Sequence, residues 1–337
     1  MAVVSSTGTL SFFELAPPSE GGPATLKEVA MHRPLGQGEG VLLLSCAWHP
    51  SLPGLLAITT SNYEVHVLRV DETWGVSKAR EEPVITHTLE AWTVAFSPPS
   101  TRHPDADSQD STESRSLVVY SGGDDSKLLR AACVYKPSQT AVDDEVLATP
   151  YPTTTVKGHE AGVTAILPLP LQLADGSEIV VTGSYDDRLR VYRVYTSKGG
   201  LMTQRPSTLA DENLGGGVWR LKLIRLGETG SETSGGAGPS DGKCGWAALI
   251  LASCMHAGCR VVELRGDYEG SSCDVAVLAR FEEHKSMNYG SDFQPGSEQM
   301  IAQGGGAGGS GLRCVSTSFY DRLLCLWHFS AVRGPPR

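Results

Sequence analysis

The sequence contains little that would take the chain into a membrane or onto nucleic acid. No stretch approaches the roughly 18 consecutive apolar residues of a membrane span, and the first residues lack the basic segment and long apolar core of a signal peptide. The net charge is −10, and no long run of Lys and Arg appears. Because the overall field repels phosphates and anionic lipids, we expect a soluble cytoplasmic protein without nucleic-acid or membrane partners.

Cysteine motifs and familiar catalytic signatures are absent as well. The 8 cysteines are scattered without a CxxC pair, which argues for reduced core thiols and against a disulfide framework or a structural zinc site. There is no GxSxG elbow, no GxxxxGK[ST] loop, no HExxH motif and no GxGxxG following a strand. The GGGAGG run at 304–309 lies in a low-complexity segment and is interpreted as a linker. The sequence therefore predicts neither a metal nor a cofactor.

The chain does contain a repeated unit, formed by an apolar strand, a short polar turn and a second apolar strand. Clear copies are VVTGSYDDRLRVYRV (180–194), VVYSGGDDSKLLRAA (118–132) and CVSTSFYDRLLCLWHF (314–329), and weaker copies begin at 2, 55 and 249. Further strand-like runs begin at 45, 90, 161 and 216, so the units recur at about 40 to 65 residues, the period of WD-type blades stretched by insertions. The sequence predicts an all-β, WD40-type β-propeller forming a single domain over 1–337.

Three insertions interrupt the repeat, near 100–116, 228–243 and 294–311. Each is rich in Gly, Ser or charged residues and falls between the first and second strands of a unit, so we expect flexible loops on one face. The loops before the first strands and the second hairpins are short and chemically specific. Function is therefore expected on the face that those connections form.

The start of the chain is short for a complete ring. The first 40 residues supply only a hairpin and one further strand, and the last unit ends at Phe329 without an outer strand. Two alternatives follow: the segment 26–32 or a similar segment completes the last blade, or an N-terminal blade is missing.

The hairpin ALILASCMHAG places an imidazole in an unusual position. His256 stands where Asp186 and Asp321 stand in their own hairpins, and Cys254 lies two residues earlier, on the same side if the strand is extended. A thiol and an imidazole facing one another would suit nucleophilic catalysis. The alternative is a core thiol and a solvated turn residue.

A second polar cluster lies in FEEHKSMNYGSDF (281–293). A carboxylate beside a histidine sets its tautomer and raises its basicity, as a general base requires. Loops that surround a common channel would bring His256, His284, Tyr185 and Tyr320 together. The glycines at 215–217, before Trp219, would let backbone N–H groups approach a ligand or an oxyanion. The polar residues of the segment are Glu282, Glu283, His284, Ser286, Tyr289 and Asp292.

Several of these segments occur in the order found in one known family. EAWTVAF (90–96), GGGVWRLK (215–222), ASCMHAG (252–258), HKSMNYGSDF (284–293) and STSFYDRLLCLW (316–327) resemble the WD-repeat diphthine methylesterases, also called diphthine methyltransferases. The resemblance covers most of the chain from about residue 41 onward. It implies a seven-bladed propeller, from which the short N-terminus departs.

The resemblance also implies an activity. It suggests a monomeric cytosolic enzyme that hydrolyses the methyl ester of methylated diphthine on translation elongation factor 2, giving diphthine and methanol. His284 or His256 would be the general base, Tyr289 and N–H groups near Gly216 the oxyanion donors, and Cys254 or Ser286 an alternative nucleophile. The competing hypothesis is a non-catalytic scaffold. Residues expected to position the substrate are Glu90, Trp92, Gly216, Trp219, Arg220, Tyr185, Tyr320 and Asp292.

Overall fold

The computed structural model describes residues 1–18, 22–36, 40–98, 114–137, 145–196, 202–229, 244–299 and 311–330. Two compact units divide the chain, Met1–Leu171 with Tyr195–Arg205 and Gln172–Val194 with Pro206–Arg337. The predicted insertions near 100–116, 228–243 and 294–311 lie largely outside the described residues. A single domain over 1–337 stays a prediction.

The first unit contains three antiparallel sheets. The first sheet consists of β1 (Ala2–Val4), β2 (Leu10–Ala16) and β3 (Thr25–His32). The second consists of β4 (Leu43–Trp48), β5 (Leu55–Thr60), β6 (Glu64–Val70), β7 (Val76–Lys78) and β8 (Ile85–Thr86). The third consists of β9 (Ala91–Phe96), β10 (Arg115–Gly123), β11 (Leu128–Tyr135), β12 (Leu147–Ala148) and β13 (Thr154–Val156), and β14 (Val163–Gln172) follows.

The second unit also contains three antiparallel sheets. The first includes β15 (Glu178–Ser184), β16 (Arg188–Val194) and β17 (Ser207–Asn213) and has β14 as its fourth strand. The next consists of β18 (Arg220–Thr229), β19 (Gly245–Ser253), β20 (Cys259–Asp267) and β21 (Cys273–Phe281). The last consists of β22 (Asn288–Phe293), β23 (Leu312–Ser318) and β24 (Leu323–Phe329).

The sequence pattern explains which strands lie inside the sheets. EIVVTGS in β15 is apolar or small at almost every position and is buried along nearly its whole length, as a central strand covered on both faces must be. CDVAVLARF in β21 alternates between more and less exposed positions, as an outer strand with one solvated face does.

All six predicted repeat hairpins form, as β1–β2, β5–β6, β10–β11, β15–β16, β19–β20 and β23–β24. Sheets of sequential antiparallel strands are the blades of a β-propeller. The predicted all-β propeller class is therefore confirmed. In the parts of the chain that the structure describes, no helix is long and apolar enough to cross a membrane.

Two expectations about the start of the chain need correction. The segment 26–32 does not complete the last blade, because β3 pairs with β2 in its own sheet, from Leu10 opposite His32 to Ala16 opposite Thr25. A hairpin closed over a short loop costs less chain entropy than a pairing across the whole sequence. The described residues also form six sheets, not the seven blades implied by the resemblance.

An apolar layer joins the last two sheets of the second unit. It holds the hairpin between β19 and β20 beside the loop that leads into β22. These two segments carry four of the predicted catalytic residues, namely Cys254, His256, His284 and Ser286. The buried members of the layer are Ile224, Leu249, Leu251, Cys259, Val261, Leu312, Cys314, Trp327 and Phe329.

Candidate functional site

His256 lies at the exposed tip of a tightly closed turn between β19 and β20. The N–H of Cys254 donates to the carbonyl oxygen of Gly258 at 2.7 Å, and the N–H of Ala257 donates to that of Cys254 at 2.8 Å. Ser253 pairs with Cys259, so His256 is the third residue before the returning strand. In the hairpin of β15 and β16, Gly183 pairs with Leu189, so Asp186 is likewise the third residue before the paired residue of the returning strand. The backbone therefore presents an imidazole where the neighbouring hairpin presents a carboxylate.

The expected pairing of Cys254 with His256 differs from the structure. Strand β19 ends at Ser253, so the alternation of an extended strand no longer applies to the two side chains. Cys254 is fully buried, whereas His256 is exposed. Burial raises the pKa of the Cys254 thiol to about 12. The thiol is therefore protonated at neutral pH and is a poor nucleophile.

The glycines at 215–217 pack against this turn. A Cβ at Gly216 would lie 2.3 Å from the Cys254 carbonyl oxygen, and one at Gly217 would lie 2.6 Å from the sulfur of Met255. Close packing against the turn therefore explains why glycine occupies 216 and 217. The sequence had instead suggested that the glycines let backbone N–H groups approach a ligand. Among the described residues, no hydrogen bond uses the N–H of Gly216 or Gly217. Both glycines are buried, and their N–H groups adjoin the turn that carries His256.

His284 lies in the loop before β22, and side chains of β23 and β24 hold its ring in place. Its Nε2 lies 2.8 Å from Ser316 Oγ, and the Trp327 indole N–H donates to the same hydroxyl at 3.1 Å. The ring also meets Phe281 edge-on at 5.4 Å. Burial lowers the pKa of His284, and the Asp321 carboxylate opposes this shift. The imidazole is therefore neutral at neutral pH, with Nε2 held by Ser316 and the buried Nδ1 without a hydrogen-bond partner among the described residues.

A similar histidine arrangement, with the second ring nitrogen also hydrogen-bonded, occurs in the first unit. His87 Nε2 lies 2.9 Å from Ser121 Oγ, and His87 Nδ1 lies 3.0 Å from Asp125 Oδ1. In both sheets a buried histidine in the loop before the first strand contacts a serine of the next strand. We infer that His284, like His87, mainly ties a loop to a hairpin.

Ser286 caps the turn between β23 and β24. Its hydroxyl lies 2.8 Å from Ser318 Oγ, donates to Asp321 Oδ1 at 2.9 Å and accepts the N–H of Tyr320 at 3.0 Å. Hydrogen bonds from Ser318 and Ser286 lower the pKa of Asp321. None of the described partners of Ser286 is a histidine, so its role here is to position Tyr320.

Five aromatic side chains form a continuous row, here called the aromatic row. Successive ring centroids are 5.4, 5.0, 6.0 and 5.1 Å apart, and the rings are inclined at 58°, 59°, 68° and 89°. Burial and the neighbouring Tyr320 hydroxyl raise the pKa of Tyr289, so its hydroxyl keeps its proton. Phe319 was not singled out in the sequence, although it precedes Tyr320 in the same turn. The row consists of Tyr185, Trp219, Tyr289, Phe319 and Tyr320.

A backbone bridge connects the His256 turn to the aromatic row. Met255 and Asn288 exchange N–H to carbonyl hydrogen bonds of 3.2 and 2.9 Å. The fully buried Asn288 amide donates to the carbonyl oxygens of Gly290 and Thr317. Because Tyr289 follows Asn288, the bridge holds the row beside the turn. Sequence reasoning missed both Met255 and Asn288.

The remaining predicted site residues are Asp292, Arg220, Glu90 and Trp92. Asp292 is exposed on β22 and forms a 2.8 Å ion pair with Lys222. Arg220 is exposed at the start of β18. Glu90 and Trp92 belong to the first unit, where the Trp92 indole donates to Asp124 at 3.3 Å. Over the described ranges, no group of three or more His, Cys, Asp or Glu side chains is arranged to hold a metal ion.

Replacing His284 with alanine is expected to lower the free energy of unfolding by about 1 to 3 kcal/mol, because Ser316 would lose a buried partner. His256→Ala is expected to change it by less than about 0.5 kcal/mol, since that side chain is exposed. Urea unfolding of both variants measures the difference. Equal stability of the two variants would show that the contacts of His284 are not structural.

The sheets and their histidine contacts define the chain as a WD40-type β-propeller protein. The chain is similar in fold to the crystal structure of Sqt1 from Chaetomium thermophilum, with a TM-score of 0.50 and 14% identity, covering 99% of this chain and 67% of that one. No family model matches the sequence.

Two curated proteins similar to this chain are diphthine methyltransferases. The chain is 27% identical over 278 residues to the diphthine methyltransferase of Schizosaccharomyces pombe, covering 81% of this chain and 60% of that protein. It is 27% identical over 265 residues to the human diphthine methyltransferase, covering 76% and 44% respectively. The predicted resemblance to the diphthine methyltransferases is therefore confirmed. The chain spans less than two thirds of the length of these relatives.

Proposed function

We propose that the chain is an esterase of diphthamide biosynthesis. In this proposal it removes the methyl ester of methylated diphthine from translation elongation factor 2 in the cytoplasm. The observation that supports the proposed substrate is the similarity to relatives named for diphthine, which extends over 76 to 81% of the chain. The second unit supplies groups that suit ester hydrolysis, namely an exposed imidazole, free backbone N–H donors and an aromatic surface.

His256 is the proposed general base. Among the candidates it is the one that is exposed, while the His284 ring contacts Ser316 and the Cys254 thiol is buried and protonated. Ser286 donates to a carboxylate and lacks a basic partner among its described contacts. An imidazole on a fixed turn is placed to take a proton from an attacking water.

The proposed reaction adds water to the ester carbonyl carbon. His256 takes a proton as the water oxygen attacks, and the N–H groups of Gly216 and Gly217 donate to the oxyanion of the tetrahedral intermediate. Collapse of the intermediate breaks the bond to the methoxy oxygen, which receives the proton from His256. The products are a carboxylate, methanol and a proton. Tyr289, whose hydroxyl stays protonated, is a further donor at the edge of this site.

The other predicted site residues are proposed to contact the protein substrate. Trp219 and Tyr185 flank the glycines, while Arg220 and Asp292 lie exposed on β18 and β22. Glu90 and Trp92 would contact elongation factor 2 from the first unit. The enzyme is proposed to act as a monomer on this partner.

Incubating the purified chain with elongation factor 2 that carries methylated diphthine tests the proposal. We expect loss of one methyl group by mass spectrometry and release of an equal amount of methanol. The exposed aromatic row also suits a non-catalytic scaffold. Stable binding of the factor with the ester intact would contradict the esterase and favour the scaffold.

Cys254→Ala is expected to leave kcat/KM within about twofold of the parent value, because a protonated buried thiol takes no part in the chemistry. Steady-state methanol release measures this. Cys133→Ala, at another buried cysteine in the first unit, controls for general loss of packing. A large fall in rate for Cys254→Ala alone, with an unchanged melting temperature, would restore the thiol as the nucleophile.

A further inference from the structure

Arg260 is a buried cation beside the turn that carries His256. It lies on β20 opposite Ala252, and its side chain is 3% exposed. Burying a guanidinium is costly unless ion pairs and hydrogen bonds replace the lost water. The contacts of Arg260 therefore show which parts of the chain it holds together.

The guanidinium of this residue reaches three segments. Its Nη1 donates to the carbonyl oxygens of Ala257 and Cys259 at 2.7 and 3.0 Å. Its Nε donates to the carbonyl oxygen of Leu214 at 3.3 Å, directly before the glycines at 215–217. Its Nη2 forms a 2.8 Å ion pair with Glu282, in the loop before β22. One side chain thus connects the turn, the glycine segment and the following loop.

The neighbouring hairpin of β15 and β16 shows how this arrangement differs from its counterpart. Arg190 has the same place on β16 that Arg260 has on β20, one residue after the pair that closes the turn. Its Nη1 donates to both oxygens of the Asp186 carboxylate, at 3.0 and 2.8 Å. The turn 254–258 contains no acidic residue, because His256 replaces that carboxylate. Arg260 instead pairs with Glu282 of the next loop.

The turn packs closely against both segments that Arg260 reaches. A Cβ at Gly258 would lie 2.2 Å from the Phe281 carbonyl oxygen and 3.3 Å from Glu282 Cα. On the other side, Gly216 packs against the Cys254 carbonyl oxygen. The guanidinium bonds across the same contacts, so its loss would let the turn move relative to the glycine N–H groups.

We propose that Arg260 is a positioning residue for the esterase reaction, with Glu282 as its anchor. In this role the guanidinium contacts neither the water nor the ester, and it fixes the His256 turn relative to the N–H groups of Gly216 and Gly217. The inference rests on the proposed function, since it concerns the same base and the same oxyanion donors. Displacing reacting groups by about 1 Å can slow a reaction by roughly 100-fold.

Arg260→Lys tests this role while keeping the positive charge. A single ammonium group cannot reproduce the fork with which a guanidinium bonds to several segments at once. We expect kcat for methanol release to fall by about 10- to 100-fold. KM should change by less than about twofold, because the substrate contacts remain.

The same substitution in a His256→Ala background separates positioning from a general loss of stability. Without the imidazole there is no base to displace, so we expect a further loss of kcat of less than about threefold. Arg193→Lys is the matched control, because Arg193 pairs with Asp175 and lies at the end of β16 remote from the hairpin turn. It should leave kcat unchanged. A further loss as large as in the parent chain, or an equal fall in Arg193→Lys, would overturn the proposal.

Hydrogen exchange of the backbone amides tests the anchoring without an ester. In Arg260→Lys and in Glu282→Gln, the N–H groups of 254–258 should exchange faster, while those of the turn 184–187 keep their parent rates. The Glu282 side chain is 58% exposed, so the second variant is expected to fold like the parent chain. Unchanged exchange at 254–258 in both variants would overturn the positioning role. A parent chain that releases no methanol would contradict the proposed function, whereas faster exchange would still show that Arg260 holds the turn.

Discussion

Replacing His256 with alanine is expected to slow the release of methanol by about 10²- to 10⁴-fold, the usual contribution of a positioned general base. The loss should appear in kcat more than in KM, because the imidazole acts on water and does not hold the substrate. The side chain is exposed at the tip of a turn closed by backbone hydrogen bonds. The melting temperature should therefore be unchanged.

His328→Ala provides the matched control for this experiment. His328 is also exposed in the second unit, on β24, and has no role in the proposed chemistry. Its replacement should leave the rate unchanged. Full activity in His256→Ala would remove this residue as the base, and equal losses in both variants would indicate a general effect of removing a surface histidine.

Gly216→Ala is expected to destabilise the chain by about 3 kcal/mol, at the upper end of the cost of overpacking. The new Cβ would lie 2.3 Å from the Cys254 carbonyl oxygen and 2.9 Å from the Ala257 Cβ. Both belong to the turn that carries His256, and a backbone oxygen cannot move away as a flexible side chain can. Esterase activity should fall together with stability, since relief of the clash displaces the turn.

Gly227→Ala is the matched control for the glycine substitution. Gly227 lies in β18, and a Cβ there meets nothing within 4 Å. Chemical denaturation should show no loss, or a gain of about 0.5 kcal/mol from the smaller entropy of the unfolded chain. Equal stability of the two alanine variants would show that Gly216 does not pack closely against the turn.

The hairpins were predictable because local chemistry specifies them. In β15 and β16, apolar residues flank a polar turn in which Asp187 adopts a positive φ of 65°, a conformation that Asp tolerates better than most residues. Strand existence and pairing within a hairpin depend on such short-range signals. The prediction for the segment 26–32 was wrong because β3 pairs with its neighbour along the chain, β2, and not with the edge of the last sheet.

The side chains of the site were less predictable because their surroundings are nonlocal. The polar cluster at 281–293 gave no sign that His284 contacts Ser316, which lies 32 residues further along the chain. The spacing of Cys254 and His256 suggested a shared strand face, but the turn begins between them and separates a buried thiol from an exposed imidazole. Composition identifies such polar residues, whereas burial depends on packing between sheets.

Hydrolysis in water labelled with heavy oxygen tests the central claim most directly. The parent chain should place one labelled oxygen in the carboxylate of diphthine on elongation factor 2, with unlabelled methanol released, and His256→Ala should do so far more slowly. Label in the methanol, or an ester that persists on a factor bound to the folded chain, would contradict base-assisted attack of water at this turn.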